Sequence, residues 1–197
     1  SAFVARGDLV VVGTFLVLWG KLSAVNAGMD TAAALEAGRL PFVIAQSAAL
    51  IWAIVAIFMI DKVHRMTALA VCMGLAAFGY LMLILVDDPL DPANIPFFLL
   101  LGVGQISAFL GSTTLIGKEA PAANRGSVVG VFSVAGALGI LITSGIGGTV
   151  FDAIDPRAPF VLLGFMNAMV LLMAVYVRLK APGPKDAELD STVAIAH

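Results

Sequence analysis

The sequence predicts an all-α, polytopic membrane protein with six transmembrane helices. Of its 197 residues, 60% are hydrophobic and only 12% are charged, whereas a soluble domain has about 25% charged residues. The mean hydropathy is +1.04. A helix needs about 20 apolar residues to cross the ~30 Å hydrocarbon core, and six stretches of the chain meet that requirement. Transmembrane strands would need ~10-residue segments of alternating polarity, which fit this sequence poorly.

The six predicted spans cover residues 8–28, 41–60, 67–86, 95–117, 126–150 and 158–177. Pro41, Pro96 and Pro159 stand at helix starts, where the missing N–H of proline costs little. The run Asp87-Asp88-Pro89 marks a loop between the third and fourth spans. We expect residues 1–180 to form one helical bundle and residues 181–197 to form a disordered, polar cytoplasmic tail.

Charges in the connections predict the orientation. One set of connections carries most of the cations: Arg6, Lys62, Arg65, Lys118, Arg125, Arg178, Lys180 and Lys185. The opposite set is mainly acidic. Because cytoplasmic loops carry an excess of Lys and Arg, we expect both termini in the cytoplasm and the protein in a bacterial inner membrane.

The fifth span is rich in small residues, among them Gly126, Gly130, Gly136 and Gly139. Glycine in a soluble helix costs roughly 1 kcal/mol relative to alanine. In a membrane, small residues instead allow two helix backbones to approach closely. We therefore expect these four glycines to pack this helix against a neighbour.

Lys21 is the first candidate for a functional residue, because a charge within a span is costly unless it faces a cavity or reaches the interface. It could bind an anion or take part in proton coupling in a central cavity. Alternatively, it could extend to the outer interface beside Trp19. The sequence leaves both alternatives open.

Polar residues in other spans are further candidates for solute binding: Gln105, Ser107, Gln46, Asn26 and Asn167. Each needs hydrogen-bond partners inside a membrane. A polar cavity would supply them, and so would hydrogen bonds to a neighbouring helix.

Several classes of function are disfavoured. No basic, aromatic-interleaved patch indicates nucleic-acid binding, and the single cysteine, Cys72, provides neither a disulfide nor a metal framework. His64 and His197 lie outside the spans, so no arrangement of catalytic or metal-binding residues is evident. We expect no enzymatic activity, no metal and no cofactor. No acidic residue falls in the middle of a predicted span.

Three segments resemble the C-terminal six-helix half of a major facilitator superfamily transporter. The loop Asp61-Lys62-Val63-His64-Arg65 is similar to the D-R-x-G-R-[RK] loop of that family, with Val63-His64 in place of the x-Gly pair. The stretch from Pro121 through Arg125-Gly126 to Gly130 resembles the start of the eleventh helix. The stretch from Gly147-Gly148 to Pro159-Phe160 resembles the last hairpin.

This resemblance implies a secondary transporter that moves a small organic solute by alternating access, together with a second six-helix half. That half would be part of the same polypeptide or of a separate chain in the bilayer. The resemblance also implies that Asp61, Lys62, Arg65 and Arg125 act in a cytoplasmic gate. The alternative is a half-size structural subunit that scaffolds a larger membrane complex and does not transport.

Overall fold

The computed structural model describes residues 1–119 and 125–180, and the side chains at positions 61, 65, 115–119 and 125 are outside that description. The described chain is entirely helical, and six of its helical segments are long and apolar enough to cross a membrane. The predicted fold class is therefore confirmed. The helices are α1 (Ala2–Asn26), α2 (Thr31–Gly38), α3 (Leu40–Asp61), α4 (Arg65–Met82), α5 (Ile95–Glu119), α6 (Arg125–Ala153) and α7 (Ala158–Lys180).

Helix bounds differ from the predicted spans mainly near the start of the chain. Helix α1 begins at Ala2 rather than at residue 8. A separate helix, α2, precedes α3. The Asp30 carboxylate caps the N-terminus of α2, because it accepts hydrogen bonds from the N–H groups of Ala32 and Ala33 at 2.8 and 3.1 Å. The predicted tail, residues 181–197, lies outside the described residues and stays a prediction.

Helix α4 lies at the centre of the bundle, between α5 and α7, while α3 packs on α5 and α1 packs on α6. Close contacts depend on glycine. A Cβ on Gly79 of α4 would lie 2.6 Å from the Leu100 carbonyl oxygen of α5, and a Cβ on Gly102 of α5 would overlap the Ala45 carbonyl of α3. The Gly102 contact therefore brings α5 directly against the backbone of α3, as small residues do in membrane bundles.

The two ends of the bundle are named here after one residue each. The Arg157 end contains the connections α1–α2, α4–α5 and α6–α7, which hydrogen bonds of Ser23 and Arg157 tie together. The Lys62 end contains the connection α3–α4.

The register of α1 against α6 corrects two expectations from the sequence. The backbone of Phe3 packs on Gly139, near the midpoint of α6, and Gly7 packs on the side chain of Thr143. Phe3 therefore lies halfway along α6. Arg6, expected in a connection, and Asp8, expected at the end of a span, both lie inside the apolar bundle.

Helix α1 contains a π-helical turn at Val12–Leu16. Such turns are rare, and they occur frequently near functional sites. The turn begins four residues after Asp8 and includes Gly13, whose α-carbon has open space beside it.

Candidate functional site

The most deeply buried charged group of the described chain is the Asp8 carboxyl, with an exposed fraction of 0%. Asn167 of α7 donates from Nδ2 to both carboxyl oxygens, at 3.2 and 3.1 Å. The hydroxyl of Tyr80 on α4 donates to the Asp8 backbone carbonyl at 3.3 Å. Three helices thus meet at Asp8.

Asp8 lies in the middle third of the bundle. Its partner Asn167 is roughly nine residues, or about 14 Å, into the 23-residue helix α7. The expectation that no acidic residue falls in the middle of a span is wrong, because depth depends on how α1 packs against α6 and α7. The chain offered one signal, which was the pair of polar residues Tyr80 and Asn167 in otherwise apolar spans.

Arg6 occupies a second position at similar depth. Its guanidinium carbon lies 5.4 Å from the centroid of the Phe109 ring of α5, and its side-chain stem packs on Gly136 of α6. A cation over an aromatic face is stabilised by the ring quadrupole. The side chain is half-buried, so part of it faces away from the six helices. Sequence reasoning missed this residue by assigning it to a loop.

Gln46 of α3 and Gln105 of α5 form a hydrogen-bonded pair. The Gln46 Nε2 donates to the Gln105 Oε1 at 3.2 Å. Gln105 is 1% exposed, and its own Nε2 finds no acceptor among the described residues. The pair joins two helices, and the Gln105 NH₂ group, which carries two hydrogens, has capacity for further partners.

Ser107 is buried and hydrogen-bonded within the bundle. Its hydroxyl donates to the Val103 carbonyl at 2.7 Å and accepts from the Trp52 indole N–H at 2.9 Å. Because its O–H donor is used and it accepts from a neighbouring helix, the arrangement supports the structural alternative for this residue.

At the Arg157 end, one guanidinium links two connections. Arg157 donates to Asp155 at 2.9 and 3.1 Å, to Asp87 at 3.0 Å, and to the Ile84 and Val86 carbonyls at 3.2 and 3.4 Å. Hydrogen bonds donated by Arg157 hold the pKa of Asp155 below its usual value, and the same bonds raise the pKa of Arg157. We call Arg157, Asp155 and Asp87 the Arg157 clamp.

Asn26 lies beside this clamp, and Lys21 lies near the same end of α1; neither is among the buried polar groups. A cavity of about 210 Å³ at the Arg157 end is lined by Trp19, Ser23 and Asn26 of α1 together with the clamp. Lys21 stands between Trp19 and Ser23 in the sequence and is half-buried. Its backbone packs on Gly38 of α2. This position supports the interfacial alternative for Lys21.

The predicted gate is described only in part. Lys62 is exposed, whereas the side chains of Asp61, Arg65 and Arg125 lie outside the described residues. His64 accepts a hydrogen bond from the Met66 N–H at 3.3 Å, which caps α4. The gating role therefore stays a prediction.

The four glycines of α6 fall into two groups. A Cβ on Gly136 would lie 2.7 Å from Arg6, and one on Gly139 would overlap the backbone of Phe3. Nothing described lies within 4 Å of a Cβ on Gly126 or Gly130. The first two contact α1, and the other two face out of the described bundle.

Within the part of the chain that the structure describes, no group of three His, Cys, Asp or Glu side chains is arranged to hold a metal ion.

Comparison with known proteins gives two kinds of match. A sequence profile described as "Major Facilitator Superfamily" matches residues 3–144 and, overlapping, 40–194. Magnetosome protein MamH of Paramagnetospirillum magneticum is 33% identical over 179 residues, which are 89% of this chain and 41% of MamH. No solved structure matches.

Magnetosome protein MamZ is also similar, in two organisms. The proteins from Paramagnetospirillum magneticum and Magnetospirillum gryphiswaldense are each 30% identical over 182 residues, covering 90% of this chain and 28% and 27% of their own lengths. The chain thus spans less than half the length of these relatives. The family profile matches nearly the whole chain and the described part has six membrane-spanning helices, so the chain belongs to the major facilitator superfamily.

Proposed function

We propose that this chain is the C-terminal six-helix half of a secondary transporter that moves a small organic solute by alternating access. In such proteins the solute site lies near the midplane, between two six-helix halves. Helices α1, α5 and α6 would line the pathway on this side, and the second half would provide the opposite wall. The Lys62 end of the bundle and the C-terminal end of α7 would face the cytoplasm, as the loop charges favour.

The single observation that carries the proposal is the position of Arg6. Its guanidinium lies within the apolar interior and over Phe109, yet the side chain is half-buried rather than enclosed. Charged groups inside membrane proteins are costly, and they face the bundle interior, a water-filled cavity or a partner charge. A pathway between the two halves would supply such a setting.

Arg6 also favours a class of solute. A guanidinium presents several N–H donors in a planar fork that matches the oxygens of a carboxylate or a phosphate. We therefore expect a small organic anion as the solute, with the Phe109 ring orienting the Arg6 guanidinium.

The test uses this chain together with its second six-helix half, purified in detergent and reconstituted in liposomes. A panel of small carboxylates and phosphates is compared with the matching neutral amides and alcohols, by thermal stabilisation and then by uptake. We expect anionic members alone to bind and to be transported. Loss of the charge-assisted hydrogen bonds in Arg6→Gln should weaken binding by about 10- to 100-fold.

Arg39→Gln is the matched control, because Arg39 is exposed just before α3 and should bind and transport as the wild type does. Transport of no panel member, or unchanged affinity in Arg6→Gln, would contradict the proposal.

A second candidate function is that of a structural subunit without transport. It is supported by the Gln46–Gln105 and Trp52–Ser107 hydrogen bonds, which join helices to one another. Such a subunit would belong to a larger membrane complex. Since the similar proteins are named as magnetosome proteins, that complex would lie in the magnetosome membrane. Fractionation of magnetosomes and inner membranes, followed by detection of this chain, would distinguish the two locations.

A further inference from the structure

The Asp8 carboxyl lies in a site that contains no described cation. It is fully buried between α1, α4 and α7. The groups that face it are Asn167 of α7 and Tyr80 of α4. The neighbouring α6 contributes the hydroxyl-bearing Thr143 at the level of Gly7.

The cation nearest to Asp8 in the sequence points elsewhere. Arg6 lies over Phe109 of α5, and residues two positions apart on a helix do not face each other. The buried carboxyl therefore has hydrogen-bond donors but no opposite charge. Burying an ionised carboxylate without a paired charge is costly, and a neutral acid avoids most of that cost.

The hydrogen-bond count at Asn167 points in the same direction. An amide NH₂ group has two hydrogens, yet three acceptors lie near Nδ2: both Asp8 oxygens and the Leu163 carbonyl, at 3.2, 3.1 and 3.0 Å. Meanwhile the Asn167 Oδ1 is buried with no donor among the described residues. Nδ2 thus has three acceptors for two hydrogens, and Oδ1 has no hydrogen to accept.

A single proton on Asp8 corrects both counts. It converts one carboxyl oxygen from an acceptor into an O–H donor, beside an amide whose oxygen lacks a donor. The acid and the amide can then form two complementary hydrogen bonds, and Nδ2 keeps one hydrogen for the Leu163 carbonyl.

We propose that Asp8 is a proton-binding site, with Asn167 as its hydrogen-bond partner, and that the proton is bound when α1 is packed against α4 and α7. The proton is taken up from water and returned to water, with no other bond changed. The site goes beyond the proposed solute site, because it lies on the opposite face of α1 from Arg6 and does not require a solute.

Proton binding has a consequence for stability. In the unfolded state a solvated aspartate is ionised at neutral pH, since its ordinary pKa is about 3.9. The folded state would then bind one proton more than the unfolded state, and folding stability must fall as the pH rises. Asp8→Asn keeps the shape, stays neutral and should remove that part of the pH dependence.

Infrared difference spectroscopy of the full-length protein in liposomes tests the proposal directly. We expect a carboxylic-acid C=O band at neutral pH that is lost in Asp8→Asn and retained in Asp30→Asn, an exposed capping residue for which Asn is an equally good cap. An identical acid band in wild type and Asp8→Asn would overturn the proposal.

Asn167→Leu provides a second measurement that keeps the carboxyl in place. If the acid is bonded to this amide, its C=O band should shift to the higher frequency of a less hydrogen-bonded acid. An unshifted band, or a thermal stability with the same pH dependence in Asp8→Asn as in wild type, would also overturn the assignment.

Discussion

Asn167 of α7 donates to both carboxyl oxygens of Asp8 on α1, across a separation of 159 residues in the sequence. This contact fixes the first helix of the chain against the last. Because both side chains are fully buried, neither can be replaced by water without opening the bundle.

Asn167→Ala should reduce stability by about 1–3 kcal/mol, since it leaves a buried polar group without its partner. The matched control is Asn94→Ala, which removes a donor to the Asp88 carbonyl at the exposed Arg157 end. Thermal and denaturant unfolding of the full-length protein in detergent would measure both. Equal losses in the two variants would contradict the assigned burial.

Gly139→Val should separate α1 from α6, because the added side chain would occupy the position of the Phe3 backbone. Overpacking of this kind costs about 1–3 kcal/mol of folding stability. Gly130→Val is the matched control, since a Cβ there meets nothing within 4 Å. Unfolding measurements should show a loss for the first variant only. If Gly130→Val keeps its stability but abolishes transport, Gly130 contacts the second half.

Gln46→Leu should destabilise the bundle by about 1–3 kcal/mol, because it leaves both polar ends of buried Gln105 without a described partner. The double variant Gln46→Leu/Gln105→Leu should be more stable than the single variant, since it leaves no unsatisfied group. A double-mutant cycle by thermal unfolding measures the coupling. Simple additivity would indicate that Gln105 has another partner, such as a solute.

The Arg157 clamp should make the Arg157 end sensitive to acid. The pKa of Asp155 is lowered by Arg157, so this contribution is present above the unfolded-state value of about 3.9 and is lost as the pH falls through the folded-state pKa. Asp155 is partly exposed, and the effect should be at most about 1 kcal/mol. Arg157→Gln should abolish it. Hydrogen exchange at Asp87 and Asp155 as a function of pH would measure the opening.

The fold was predictable because hydropathy, proline placement and loop composition are local properties. The capping of α2 by Asp30 is also local. The buried site was not predictable, because the depth of Asp8 and Arg6 is set by how α1 slides along α6. A shift of one helical turn moves a side chain by about 5.4 Å, and the contact between Phe3 and Gly139 that sets this register joins residues far apart in the chain.

The same limit applies to Asn167 and Lys21. Both are polar residues in apolar spans, and nothing local to either residue indicates which one meets a charged partner. The structure places Asn167 against Asp8 and Lys21 beside the backbone of α2.

The π-helical turn at Val12–Leu16 divides α1 into two segments that are out of phase with each other. A residue added to or removed from an α-helix rotates everything beyond it by about 100°, so the wide turn changes the azimuth of Trp19 relative to that of Asp8. Deletion of Gly13 would restore a uniform pitch and turn one segment against the other. Helix α1 thus presents two chemical environments, the buried carboxyl of Asp8 and the polar cavity beside Trp19 at the Arg157 end. Their relative orientation depends on a single local change in winding.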